Sequence, residues 1–289
     1  MLLKFFKHDF KSLSRFGVPA LLIIAGALLL GCIDISTLSV FLKNDVLENS
    51  SLAPFASVFT SLGLGISFIS LYAAVITVTV MIYVRFYKTM VSDEGYLTMT
   101  LPVTPAKILL GKLISAILWI LIVAAACLLA FAGAAGLYLR LLVPAEDAET
   151  LFEIFEYFFD AIKDYYVGSG NNVSIVLYAV NILISQISGM LLGFTSILFG
   201  GCVARKHKVL AAIGFYFGLN LVNQIISGVI SLINSLIITS SAAGTTKSFV
   251  EGDGAYSTLY FVMIILLNVI LAVAYFLSSR YIIARKMNL

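Results

Sequence analysis

The residues of this chain that could do chemistry are amide side chains set within long apolar stretches. Inside a lipid-spanning helix, an asparagine or glutamine hydrogen-bonds either to a neighbouring helix or to a solute that passes between helices. Asn220, Asn223 and Gln224 lie near one face of a single predicted helix, so they are the strongest candidates for a solute path. The complete set that we predict for such a path is Asn181, Gln186, Asn220, Asn223 and Gln224. The alternative role, which the sequence leaves open, is to join the helices of a bundle.

Side-chain patterns of catalytic and cofactor sites are missing from the sequence. Its two histidines and three cysteines form neither an HExxH sequence nor a Cys/His cluster. No charged residue lies deep in an apolar stretch, which argues against coupling to protons or sodium ions. There is also no Walker A sequence for ATP. We therefore expect no catalytic residue, no metal site and no cofactor bound by this chain.

The composition indicates whether water or lipid surrounds the chain. Of its 289 residues, 61% are apolar and only 11% are charged, and the mean hydropathy is +1.06. Soluble domains carry roughly 25% charged residues, so lipid must surround most of this chain. A transmembrane helix needs about 20 mainly apolar residues, and six long continuous segments meet that requirement. They cover about 16–35, 56–84, 109–139, 173–203, 209–239 and 258–277. The prediction is an all-α membrane protein in which residues 1–289 form one transmembrane domain.

The distribution of charge predicts the orientation of these spans. Lysine and arginine concentrate in the short loops on the cytoplasmic side of a membrane protein. With the N-terminus in the cytoplasm, the inner segments hold fourteen of the eighteen basic residues, whereas twelve of the fifteen acidic residues fall outside. The four basic residues on the outer side are Lys43, Arg140, Lys163 and Lys247. Six spans with both termini in the cytoplasm are therefore expected.

Two amphipathic segments lie outside the predicted spans. Residues 1–15 place Leu3, Phe6 and Phe10 on one helical face and basic residues on the other, which is typical of a helix in the membrane interface. Residues 143–172 carry an acidic face and an apolar face, which predicts an amphipathic helix that lies on the outer membrane surface or caps the bundle. For the first segment, a plain positive anchor is the alternative. For the second, the alternatives are an acidic mouth that interacts with cationic peptides or drugs and a cap whose charges merely face water.

The predicted cytoplasmic loop 85–108 between spans two and three holds an acidic pair, Asp93 and Glu94, in an otherwise basic setting. Ser92 or Asp93 is suited to cap a short helix. Thr104 followed by Pro105 predicts the start of the next helix, with threonine as N-cap and proline at the first helical position. This arrangement suits the docking of a cytoplasmic partner, and an ordinary solvated connector is the alternative.

The same loop carries a family resemblance. The run from Ser92 to Leu97, followed by Leu101-Pro102-Val103-Thr104 and by Lys112-Leu113-Ile114, resembles the loop between spans two and three of bacterial type-2 ABC exporter permeases. The layout of six spans with a basic N-terminal helix is similar as well. One feature differs, because the loop 240–257 is short and Gly-rich where well-known members have re-entrant elements between spans five and six.

The resemblance implies a transport subunit that is not itself an enzyme. The loop would form a coupling helix that seats in a separate ABC ATPase subunit, which would bind ATP and Mg. The coupling residues would be Ser92, Asp93, Glu94, Gly95, Tyr96 and Leu97. A second permease subunit, identical or not, would complete the path in the bacterial plasma membrane, with membrane lipid but no nucleic acid as a further partner. An amphiphilic peptide, drug or lipid would be exported. The alternative is a stand-alone channel, ion-coupled carrier or assembly scaffold.

Overall fold

The computed structural model describes residues 2–43, 53–92, 95, 104–142, 172–204, 206–242 and 254–285. The regular structure of these residues is helical, which confirms the predicted all-α class. The long helices are α1 Leu2–Lys43, α2 Ala53–Met90, α3 Pro105–Leu142, α4 Asn172–Val203, α5 Lys208–Ala242 and α6 Gly254–Arg285. The predicted outer helix at 143–172 lies outside the described residues, except for Asn172 at the start of α4.

Each of the six helices is long and apolar enough to cross a membrane. The mean hydropathy of their apolar segments lies between 1.7 and 2.8. These segments are Gly17–Thr37, Gly65–Met90, Pro105–Phe131, Val176–Val203, Lys208–Leu236 and Tyr260–Ala284. The prediction of six candidate spans is therefore confirmed, and the chain has the architecture of a multi-pass membrane protein.

Several helices extend beyond the apolar segments that predicted them. Helix α1 has 42 residues, and at about 1.5 Å per residue it is roughly twice as long as the 30 Å hydrocarbon layer. Helix α2 continues to Met90 rather than ending near residue 84, and α6 continues to Arg285 rather than ending near residue 277. Basic residues mark the membrane surface, but they are good helix formers and do not end a helix.

The N-terminal segment 2–15 forms the first turns of α1 and is not a separate helix. Pro19 lies within this helix, where it removes one backbone hydrogen bond without ending the helix. The segment is helical, as predicted, but it is continuous with the first span. Its location in the membrane interface stays a prediction.

The chain forms two compact units. Among the described residues, the first contains α1, α2 as far as Ile82 and α3 from Ile114 onward. The second contains the end of α2 from Tyr83, the start of α3 as far as Leu113, and all of α4, α5 and α6. The ends of α2 and α3 that flank the loop between them therefore belong with the last three helices.

In the first unit, the side chain of Trp119 on α3 packs against α1. Its ring stacks on Phe10 with centroids 5.3 Å apart, and its Nε1 donates a hydrogen bond to the Phe10 carbonyl oxygen at 3.4 Å. One to two turns further along α1, Gly17 lies so close to the indole that a Cβ at this position would overlap it. Trp119 is 5% exposed. The N-terminal turns of α1 are thus packed against α3 at two points.

In the second unit, α4 is the central helix and packs against both α5 and α6. Every residue from Met190 to Leu198 is buried. The hydroxyl of Thr195 lies 2.9 Å from that of Ser279 and donates to the Tyr275 carbonyl oxygen at 3.2 Å, which joins α4 to α6. Residues 204–207 connect α4 to α5, and Gly200 of α4 lies against the backbone of Ala212 of α5. Only a glycine permits such a close approach of two helix backbones.

Candidate coupling site and polar path

The loop between α2 and α3 begins and ends at defined residues. The backbone amides of Val91 and Ser92 both donate to the Tyr87 carbonyl oxygen, at 2.8 and 3.2 Å, and so complete the end of α2. At the far side, the Thr104 carbonyl oxygen accepts from the Ile108 amide at 3.3 Å, which makes Thr104 the N-cap and Pro105 the first helical residue of α3. This start was predicted. Residues 85–90 and 105–108, at the two ends of the predicted cytoplasmic segment, are helical.

The predicted coupling residues are described only in part. Ser92 is half-buried, Gly95 is buried, and the Gly95 amide donates to the Ser92 carbonyl oxygen at 2.7 Å. This bond closes a turn at the position where a helix cap was predicted. Asp93, Glu94, Tyr96 and Leu97 lie outside the described residues, so the coupling helix itself stays a prediction.

The end of α2 that precedes this loop packs along α4 through aromatic rings and glycines. The ring of Phe86 stacks on that of Phe194, with centroids 4.0 Å apart and planes 7° apart. The Tyr83 hydroxyl donates to the Gly189 carbonyl oxygen at 3.3 Å, and its ring occupies the space beside Gly193. At the loop itself, the side chain of Val91 fills the space beside Gly201.

These contacts fix the start of the loop against α4. We call Tyr83, Phe86 and Val91 the anchor residues. They lie on one stripe of α2 and its C-terminal continuation, and they meet α4 over about three helical turns. Phe86 and Val91 are 2% and 3% exposed. A displacement of the loop start therefore cannot occur without either moving α4 or breaking this packing.

The two sides of the loop are also joined to each other. The Nζ of Lys112 on α3 donates to the Thr89 hydroxyl oxygen on α2 at 2.7 Å. The Thr89 hydroxyl in turn donates to the Arg85 carbonyl oxygen at 2.9 Å. Both side chains are buried, and a buried ammonium group is costly unless it is hydrogen-bonded. Lys112 belongs to the Lys112-Leu113-Ile114 run singled out in the sequence, and its contact ties the start of α3 to the end of α2.

The amides predicted to line a solute path do not form one cluster. Asn181 on α4 accepts a hydrogen bond from the Asn268 amide nitrogen on α6 at 3.3 Å. This contact matches the alternative role of joining helices. Gln186 and Gln224 are exposed, and Asn220 is half-buried. The use of any of these residues by a substrate stays a prediction.

Helix α5 carries the three amides that were expected to act together. All three lie within about one helical turn of each other. Positions three and four residues apart share a face of a helix, so Asn223 and Gln224 lie on the same side of α5 as Asn220. In the described part of the chain, the Asn223 side-chain oxygen is buried without a hydrogen-bond partner. Only 6% of the apolar segment of α5 is buried, so most of this helix faces outward from the chain. A polar stripe on such a helix suits a contact with a second subunit or with a solute.

Glycines four residues apart allow close helix contacts, and α4 and α5 each carry such a pair, Gly189 with Gly193 and Gly214 with Gly218. Gly193, of the pair Gly189 and Gly193, lies directly against the ring of Tyr83. Among the described residues, no atom lies within 4 Å of the space where a Cβ of Gly214 or Gly218 would be.

Other residues with a structural role in this region were not identified from the sequence. Gly200 and Gly201 make close contacts with Ala212 and Val91. The signal that could have revealed them is a glycine pair directly before a short turn between two long apolar segments.

Comparison with known proteins leaves the family of this chain unassigned. No family model matches it, and neither the curated proteins nor the solved structures contain a match. In the described part of the chain, no group of three or more His, Cys, Asp or Glu side chains is placed to hold a metal ion. The function must therefore be inferred from the residues and contacts of the chain itself.

Proposed function

We propose that this chain is the transmembrane permease subunit of an ATP-driven type-2 ABC exporter in the plasma membrane of a bacterium. The observation that carries the proposal is the packing of the loop flanks. Both ends of the loop between α2 and α3 belong to the same compact unit as α4, α5 and α6. The sequence of this loop, from Ser92 to Leu97, is the part that resembles the coupling segment of such permeases.

In this proposal the loop receives the motion of a separate ATPase subunit. That subunit binds ATP and Mg, and it contacts the segment Ser92, Asp93, Glu94, Gly95, Tyr96 and Leu97. The anchor residues pass the displacement to α4, and the Lys112–Thr89 hydrogen bond makes the start of α3 follow the end of α2. Helices α5 and α6 move with α4 because they pack on it.

A second permease subunit, identical or not, completes the path. The stripe of Asn220, Asn223 and Gln224 on α5, of which Gln224 is exposed, borders that path, and an amphiphilic peptide, drug or lipid passes along it. To shift a two-state equilibrium between inward and outward access from 1:99 to 99:1 takes about 5.5 kcal/mol. A loop held by buried aromatic packing can transmit such a free-energy difference, whereas a loosely attached loop would move without moving the spans.

The same proposal places both termini in the cytoplasm. Residues 204–207 and the end of α6 then lie on the cytoplasmic side together with the loop between α2 and α3. With the N-terminal segment and the helix ends that flank them, these segments carry fourteen of the eighteen lysine and arginine residues, as the positive-inside rule requires.

The proposal is tested by co-purification of the tagged chain with the product of any adjacent reading frame that contains a Walker A sequence. We expect an ATPase subunit to be retained in a stoichiometric amount by the wild-type chain. The double substitution Glu94→Ala and Tyr96→Ala should reduce its retention at least fivefold. The matched control is Tyr72→Ala with Lys107→Ala, because both side chains are exposed and lie outside the coupling segment.

Retention must stay unchanged in the control variant. If the purified chain alone mediates solute flux in liposomes without an ATPase, it is a stand-alone channel or carrier and the proposal is wrong. Equal retention of the ATPase by the wild type and by the Glu94/Tyr96 variant would instead show that the residues assigned to the coupling segment do not bind the ATPase.

A further inference from the structure

A groove that takes no part in the proposed coupling site lies at the C-terminal ends of α4 and α6. Its volume is about 620 Å³, which is within the range of roughly 300–1,000 Å³ that is typical of small-molecule sites. Helix α4 contributes one wall and helix α6 the other. The lining residues are Phe199, Cys202, Val203, Leu277, Ser278, Tyr281 and Ile282.

The lining of this groove is apolar and open to the surroundings. Val203, Leu277 and Tyr281 are 65%, 53% and 52% exposed, and Ile282 is 3% exposed. The groove therefore has exposed apolar walls and a buried base. It lies where the last turns of two candidate spans end. Hydrocarbon chains of the surrounding lipid are the apolar groups that meet such a surface in a membrane.

The charged residues of α4, α5 and α6, and of the connection between α4 and α5, are all basic. That connection contains Lys206 and the adjoining start of α5 contains Lys208, while Arg280 is an exposed residue of α6 between Ser279 and Tyr281. The contact of Gly200 with Ala212 keeps the start of α5 beside the end of α4. From residue 165 to 250 and from 254 to 289 the sequence has no aspartate or glutamate at all. Neither the two helices that line the groove, α4 and α6, nor helix α5 therefore contributes a carboxylate to neutralise these cations.

We propose that this groove is a binding site for an anionic phospholipid from the membrane. One acyl chain lies on the apolar lining between α4 and α6. The negatively charged headgroup lies at the end of the groove, where Lys206, Lys208 and Arg280 provide positive charge. Each basic residue near an anionic headgroup contributes about 1 kcal/mol of attraction. A zwitterionic phospholipid has the same acyl chains but no net charge, so it should bind this site more weakly.

The test is native mass spectrometry of the full-length chain, released from micelles that contain equimolar phosphatidylglycerol and phosphatidylcholine. We expect the wild-type chain to retain phosphatidylglycerol in preference to phosphatidylcholine. The variant Lys206→Gln with Arg280→Gln should lose this preference by about fivefold for each charge removed. A matched control, Lys11→Gln with Lys107→Gln, removes two exposed charges elsewhere in the chain and should keep the preference for phosphatidylglycerol.

A second variant tests the apolar part of the site. Ser278→Phe fills the groove from the α6 wall and should reduce the retention of phosphatidylglycerol several-fold, while the thermal melting of the chain stays within a few degrees of the wild type. Equal lipid preference in the wild type and in the Lys206/Arg280 variant would overturn the proposal. An equal loss of lipid preference in the Lys11/Lys107 control would also overturn the proposal, because that result would show that the net charge of the chain alone attracts the lipid. A change of oligomeric state in Ser278→Phe with unaltered lipid retention would show that a second copy of the chain occupies the groove.

Discussion

The ring of Phe86 on α2 lies face to face with the ring of Phe194 on α4, with centroids 4.0 Å apart. Both rings are almost completely buried, at 2% and 0% exposure. This stack lies one turn before the point where α2 ends and the loop begins. Phe86 is the most deeply buried of the anchor residues, and the proposed transmission of motion from the loop to α4 depends on this stack.

Phe86→Ala should therefore destabilise the chain strongly. Removing a large buried side chain costs about 3–5 kcal/mol in soluble proteins, since the lost contacts leave a cavity. The matched control is Phe68→Ala on the same helix, because the Phe68 side chain is 58% exposed. Thermal unfolding in detergent, followed by circular dichroism, should show a clear decrease of Tm for Phe86→Ala and little change for Phe68→Ala. Equal shifts for both variants would contradict the packing described for α2 and α4.

Gly193→Ala should destabilise the contact between the same two helices. A Cβ at this position would overlap the ring of Tyr83, and that ring is held by its hydrogen bond to the Gly189 carbonyl oxygen and by its edge contact with Phe194. Gly214→Ala provides the control, because the corresponding space on α5 is open among the described residues. We expect a lower Tm for Gly193→Ala and an unchanged or slightly higher Tm for Gly214→Ala, since alanine favours a helix by up to about 1 kcal/mol over glycine. The reverse order would show that Tyr83 is not fixed in this position.

The sequence predicted the six helices because long apolar segments carry a strong signal. It did not predict which faces of these helices meet. Each span is apolar on nearly all sides, so hydrophobic periodicity cannot distinguish a face toward lipid from a face toward protein. The contact of Trp119 with Phe10 and that of Tyr83 with Gly193 both depend on that choice. The start of α3 was predicted because Thr104 and Pro105 determine it locally, whereas no local signal placed the end of α2 at Met90.

The sequence predicted which segment forms the candidate site, but it predicted few of the contacts made by the flanks of that segment. The segment from Ser92 to Leu97 stood out because two acids occur in a basic loop, and the flanks of that segment are now described. Asn181 was recognised as a polar residue within a span, but its pairing with Asn268 could not be inferred from positions that are 87 residues apart. This joining role cannot be distinguished from a role in a solute path by sequence alone, since an amide side chain is suited to both.

Lys112 should be important for stability even though it is charged and lies in an apolar span. Lys112→Met removes the hydrogen bond to the Thr89 hydroxyl, and a hydrogen bond to a charged group contributes about 1.5–3 kcal/mol. Lys107→Met serves as the control, because this lysine is exposed one to two turns earlier on the same helix. We expect a lower Tm only for Lys112→Met. Combining it with Thr89→Val should cost less than the sum of the two single substitutions, and full additivity would show that the two side chains do not interact.

Trp119 should be shielded from lipid although it lies within a candidate span. It is the only tryptophan of the chain, so its fluorescence reports on one site. In liposomes that contain phospholipids with brominated acyl chains, we expect the emission of the wild-type chain to be quenched only weakly. The control is Trp119→Phe combined with Leu128→Trp, since Leu128 lies on the same helix and is 70% exposed. Strong quenching of Trp119, comparable to that of the control, would contradict its packing against Phe10 and Gly17.

The most direct test of the central proposal is the ATPase activity of the reconstituted complex. The chain and its co-purifying ATPase subunit are placed in liposomes, and the rate of ATP hydrolysis is compared between the wild type and the Glu94→Ala, Tyr96→Ala variant. Tyr72→Ala with Lys107→Ala again serves as the control. We predict that hydrolysis falls at least several-fold in the Glu94/Tyr96 variant and stays at the wild-type rate in the control. An unchanged rate in the Glu94/Tyr96 variant, with the subunit still bound, would contradict the claim that this loop couples the chain to ATP hydrolysis.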